Sequence, residues 1–135
     1  MDCPNCGVAT VAFEVPPDLR EYVPGEEAAV ALCTRCLGLH PAPEDEVTAD
    51  PDFTAISSAF SPDNTGENGA IAMALLIGLM PTFALYRPEI EALTERVERA
   101  GIDPLLVLDR LAADPDTEPE TDLRRRRRQL EQVLD

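Results

Sequence analysis

A chain of 135 residues has room for one domain, or for one small domain with a helical extension. Its 44% hydrophobic content supports a core, and with 4% aromatics and no Trp that core must be aliphatic. The 26 acids against 11 bases leave a net charge of −15, yet the acids are spread through well-patterned apolar sequence, which excludes a disordered acidic tail.

Every base is an Arg. A Lys-free, acid-rich chain reads as a protein of a salt-in halophile, where molar salt shortens the Debye length to about 3 Å and screens the repulsion among acids. The opening residues Met1-Asp2-Cys3-Pro4 offer neither a basic region nor an early apolar run. No signal peptide is read there, and the expected compartment is the cytoplasm. Reducing conditions of that kind favour metal-bound thiolates over disulfides.

All four cysteines fall in two C-x-x-C pairs, Cys3-Pro4-Asn5-Cys6 and Cys33-Thr34-Arg35-Cys36. This spacing lets two thiolates grip a metal from one turn, and two such turns close a tetrahedral site. The expected ligands are Cys3, Cys6, Cys33 and Cys36 around one structural Zn2+. Iron in a rubredoxin-type centre would use the same ligands and would show itself by colour. A dithiol redox pair is the other reading, but such a pair normally sits at a helix N-terminus beside a βαβ pattern, and both pairs here adjoin strands. Gly7 follows Cys6 and permits the positive φ that these turns need.

Residues 8–15 are β-prone, with Ala9, Val11, Phe13 and Val15 on one side. Pro16-Pro17-Asp18 breaks this strand, residues 19–22 make one helical turn, and Val23-Pro24-Gly25 is a second break. Residues 26–32 then return toward the second cysteine pair. Two strands joining two knuckles form a zinc-ribbon pattern, assigned to residues 1–40. An isolated hairpin is marginal in water, whereas structural zinc contributes on the order of 10 kcal/mol of apparent binding energy. The metal is therefore expected to decide whether this part folds. His40 is read as a solvent-facing or outer-sphere side chain, because four cysteines already fill a tetrahedron.

Residues 41–52 read as an acidic, Pro-rich linker, and residues 53–135 as a helical domain. Asp50-Pro51 is a cap and first-turn signal for a short helix with Phe53, Ile56 and Phe60 inward. Asp63, Asn64 or Thr65 can cap the next helix, residues 66–80, the most apolar stretch of the chain. Gly66, Ala70, Ala74 and Gly78 recur every four residues as a ridge that a neighbouring helix can approach, within the chain or across a dimer. A membrane span needs about 17–25 apolar residues, which this stretch reaches only by including Pro81 and Thr82, so a buried core helix is expected. Pro81-Thr82 ends it.

Pro88 opens a helix with Ile90, Leu93 and Val97 inward and Gly101 just past its end. Glu95 and Arg99 are a supportive i, i+4 pair on its outer face. Asp103-Pro104 caps a short helix with Leu105, Leu106, Leu108 and Leu111 as its apolar positions. A last helix is expected from Glu118 or Pro119 to about Leu134.

That last helix carries Arg124, Arg125, Arg126, Arg127 and Arg128 in succession. Five in a row turn through the whole circumference, since each residue advances about 100°. Pairs Arg124–Glu120 and Arg126–Asp122 would neutralise part of the run. It is nevertheless the only positive segment of the chain, and so the candidate contact for phosphate or an acidic partner. No catalytic constellation is visible: there is no second His, no G-x-S-x-G and no glycine-rich phosphate loop.

The chain resembles a haloarchaeal family of small uncharacterised CxxC proteins, a domain of unknown function. The resemblance rests on the MDCPNCG start, the CTRCL pair, AMALLIGL, GIDPLLVLDRLAADP and the RRRRRQLEQ tail, and it covers nearly the whole length. It implies architecture and source but no activity. The expected fold is α+β, a zinc-ribbon β-hairpin followed by a small helical bundle around a buried apolar helix. The expected function is that of a non-enzymatic, zinc-stabilised module with a protein partner. The alternative is nucleic-acid binding through residues 124–128, and the third is dithiol redox chemistry.

Overall fold

A computed structural model describes residues 2–47, 51, 53, 56, 69–119 and 121–134. The chain is α+β, with an antiparallel sheet at the N-terminal end and helices after it. Strand β1 spans Thr10–Glu14, β2 Ala29–Cys33 and β3 Leu39–Pro41, in the spatial order β1-β2-β3. The expected hairpin is thus the first two strands of a three-stranded meander. Register pairs Ala12 with Ala31 and Thr10 with Cys33, and β3 adds Leu32 opposite Leu39. The central strand β2 is buried along its whole length.

Between β1 and β2 the prolines do the predicted breaking. A 3-10 turn covers Pro17–Tyr22, and a second covers Pro24–Glu26 with Gly25 at φ 81°. Beyond β3 another 3-10 turn covers Glu44–Glu46. Phe53 and Ile56 are buried, and the Phe53 ring meets Phe13 edge-on at 5.2 Å between centroids. Pro51 is not helical, and the remaining positions of the helix expected around them, including Asp50 and Phe60, lie outside the described residues. So do the cap residues Asp63, Asn64 and Thr65, and Gly66.

Helix α1, Gly69–Leu79, is buried on all sides except at Gly78. It ends in a 3-10 turn, Met80–Thr82, where Pro81 removes an amide and Thr82 Oγ1 donates to the Leu79 carbonyl at 3.3 Å. The small-residue ridge meets a strand and not only helices: a Cβ on Gly78 would stand 2.8 Å from Leu39 Cβ on β3. Among the described residues no helix is long and apolar enough to cross a membrane.

Helix α2 spans Arg87–Arg99, with Ile90, Leu93 and Val97 fully buried and Gly101 beyond its end at φ 88°. Thr94 is buried there too, its hydroxyl donating to the Ile90 carbonyl at 2.7 Å. Helix α3 spans Pro104–Ala113, and Asp103 Oδ1 accepts from the Leu105 and Leu106 amides, as a cap does. Val107, Leu108 and Leu111 face the core, whereas Leu106 points to solvent. Helix α4 spans Leu123–Leu134 and starts later than expected. Asp122 stands just ahead of it, and its Oδ1 accepts from the Arg125 amide at 3.2 Å. Among the described residues, side chains of β1, β2 and helices α1 to α4 share one buried cluster, so sheet and helices hold a common core.

Candidate metal centre

Two turns hold the cysteines, and they are built alike. In the first, the Cys3 amide donates to the Val8 carbonyl at 2.8 Å, and in the second the Cys33 amide donates to the Gly38 carbonyl at 3.0 Å. The residue after each second cysteine has positive φ, 73° at Gly7 and 61° at Leu37. Sulfur receives backbone amides in both: Asn5 and Cys6 donate to Cys3, while Arg35 and Cys36 each donate to Cys33 Sγ at 3.3 Å. Thr34 Oγ1 donates to the Ala9 carbonyl at 2.9 Å and ties one turn to the other.

This construction brings all four sulfurs within 4.8 Å of one another. Four thiolates about 2.3 Å from one metal stand about 3.8 Å apart in a tetrahedron, and Cys3 Sγ lies 3.8 Å from Cys36 Sγ. Cys3, Cys33 and Cys36 are buried and Cys6 is half-buried. The four cysteines are thus positioned to hold a metal ion, and the donor set closes a tetrahedron without an open position.

The protonation pattern suits a cation-binding site. Burial pushes the Cys3 thiol up, but the amides of Cys6 and Asn5 and the thiols of Cys33 and Cys36 outweigh it and bring it down to about 6. Cys36 goes the other way, pushed up by burial and by the three neighbouring sulfurs against the help of the Gly38 amide. At Cys6 the hydrogen bond with Cys36 pulls down, yet burial and the sulfurs of Cys33 and Cys3 leave the net shift upward. Crowded thiols cannot all ionise side by side; a divalent ion at their centre removes that penalty.

Three residues outside the cysteine pairs complete the surroundings. Gly38 keeps the second turn narrow, because a Cβ there would stand 3.3 Å from Cys36 Sγ. Leu37 sends its side chain into the main core and so links the turn to the helices. Glu118, ahead of α4, donates its amide to the Arg35 carbonyl at 2.7 Å and accepts the Arg35 guanidinium at 3.0 Å. The C-x-x-C-x-G pattern of Cys33 to Gly38 carried a signal for the glycine; nothing in sequence pointed from Arg35 to Glu118.

The arginine run lies on α4 and divides in two. Arg127 pairs with Asp109 of α3 at 2.9 Å and with Glu131. Arg126 donates to Thr121 and Gln129, in place of the expected pair with Asp122, whose carboxylate caps the helix. Arg124, Arg125 and Arg128 are exposed, and among the described residues none of the three has an ion pair. Glu120, the expected partner of Arg124, lies outside the described residues. At about 100° per residue these three share one arc of about 100°, with Leu123 and Leu130 buried on the far side.

Fold and site together define a small α+β protein whose sheet ends in a four-cysteine, metal-competent cluster. The chain belongs to the family of unknown function DUF6276, which matches it over residues 2–134. No curated protein and no solved structure matches it.

Proposed function

We propose that this protein is a non-enzymatic interaction module whose sheet is held by one structural zinc. The closed set of four sulfurs within 4.8 Å carries the reading. Zinc satisfied by four thiolates has no position left for water or substrate, so the metal serves the fold. Metal analysis of the purified protein is expected to give one zinc per chain and no visible absorption. Iron colour, or a stable metal-free fold with cysteines that cycle between thiol and disulfide, would overturn it. Affinity capture from a lysate at native salt should then recover a protein partner.

A second reading is supported by the exposed arc of Arg124, Arg125 and Arg128, which suits phosphate or another polyanion. Three phosphate contacts on duplex DNA would give a slope of log K against log salt of about −2.7. Arg-to-Gln changes at 124, 125 and 128 should abolish such binding and leave the fold intact. The net charge of −15 on the whole chain opposes this reading, so a protein partner is the one we favour.

A further inference from the structure

One side chain beside the cysteine cluster has no part in the four-thiolate scheme. His40 lies on β3 opposite Ala31 of β2, so the strand ladder and not a loop fixes where its ring can go. Its Nε2 stands 3.7 Å from Cys3 Sγ, a hydrogen-bonding distance for sulfur. A metal-bound thiolate has lone pairs and no proton, so the ring nitrogen must be the donor. The backbone leaves the ring its space: a Cβ on Gly38 would come 3.1 Å from His40 Nε2, closer than neighbouring side chains ordinarily sit.

Resting on the reading of a four-thiolate metal centre, we infer that His40 is a positioning residue of that centre, donating Nε2–H to the Cys3 thiolate. Four thiolates around a divalent ion leave a local charge of about −2, within a chain already at −15. Donors to sulfur offset that excess. They also lower the basicity of the ligand, so a proton competes with the metal less well. Cys3 already receives the Asn5 and Cys6 amides. His40 adds the one side-chain nitrogen that reaches a ligand sulfur among the described residues.

The 135-residue chain loaded with Co2+ tests this, with His40→Gln, His40→Leu and His40→Phe beside the wild type. Losing the donor raises the energy of the sulfur lone pairs. The thiolate-to-cobalt charge-transfer band of His40→Leu should therefore move to longer wavelength. Cobalt affinity should fall about 10- to 100-fold, the range for lost outer-sphere partners, and release to excess chelator should quicken with it. His40→Gln keeps an N–H donor and should stay near the wild type, whereas His40→Phe fills the space without a donor and should follow His40→Leu. An unmoved band in His40→Leu overturns the inference, even if release quickens, because packing alone would then explain it. Equal behaviour of the Gln and Leu variants overturns it as well. Should His40→Leu fail to fold, His40→Phe, which keeps a ring and lacks the N–H, decides by the same two readings. A wild type that binds no cobalt would overturn the four-thiolate reading itself, which is a separate result.

Discussion

Leu37 and Gly7 occupy the same place in two turns of the same construction, and they answer the same steric demand differently. Both have positive φ, 61° and 73°. Gly7 meets it without a side chain, and a Cβ there would touch nothing within 4 Å. Gly7→Ala therefore meets only the left-handed backbone penalty and should cost about 1–2 kcal/mol. Leu37 accepts that penalty in return for burying its side chain in the main core. Removing the side chain forfeits about 2–5 kcal/mol, while the glycine relieves only about 1–2 kcal/mol of strain. Leu37→Gly should therefore destabilise the metal-loaded protein by about 2 kcal/mol, and by no more than about 4 kcal/mol, despite easing the backbone. Urea unfolding of both variants checks the pair; a Leu37→Gly protein more stable than the wild type would show that burial of Leu37 does not offset its backbone strain. Sequence spacing was enough to pick out the four sulfurs, because C-x-x-C is a local pattern. Leu37 was not legible in that way: which residue crosses from turn to core depends on where β2 and β3 set the second turn.

At the level of elements, strand β3 shows where local reading ends. Leu39–Pro41 is three residues long and holds a Pro, which is a poor strand signal. Its pairing comes from the second cysteine turn, which delivers the chain back beside β2. The apolar run of α1 was legible as a buried helix, but its partner was not: periodicity marks a ridge and says nothing of what fills it. At Gly78 the partner is Leu39 of β3. Gly78→Ala would gain about 1 kcal/mol of helix propensity. The new methyl would stand 2.8 Å from Leu39 Cβ, an atom fixed to the strand backbone. Overpacking of this kind costs about 1–3 kcal/mol, so the net change should be destabilising by up to about 2 kcal/mol. A thermal midpoint above that of the wild type would mean the strand yields freely. The arginine run needed the true start of α4 as well. Once the helix begins at Leu123 with Asp122 as its cap, Arg126 and Arg127 fall beside the buried stripe and the other three face away.

For the whole molecule the common core decides how loss of metal spreads. The sheet residues Val11, Phe13, Val30 and Leu32 are buried in the same cluster as α1 and the other helices. With one structural zinc held as proposed, stripping it at neutral pH removes stabilisation on the order of 10 kcal/mol. That is comparable with the whole stability of a domain, about 5–15 kcal/mol. Strand and helix signals in circular dichroism should therefore fall together in one transition on chelation; helix content that survives intact would show that the helices fold without the sheet. Salt acts on the same balance from outside. With 26 acids against 11 Arg, most carboxylates have no cation to pair with, and folding brings them closer together than they are in the unfolded chain. Raising KCl from about 0.1 M to about 1 M shortens the Debye length from about 10 Å to about 3 Å. Repulsion between exposed acids then falls away, while ion pairs such as Arg96–Asp18, at 2.6 Å with Arg96 four-fifths buried, are screened less. Screening thus removes more repulsion than attraction, and the thermal midpoint of the metal-loaded protein should rise across that range. A flat or falling midpoint would show that the surplus charge costs the folded state nothing, and with it would go the reading of this composition as an adaptation to salt.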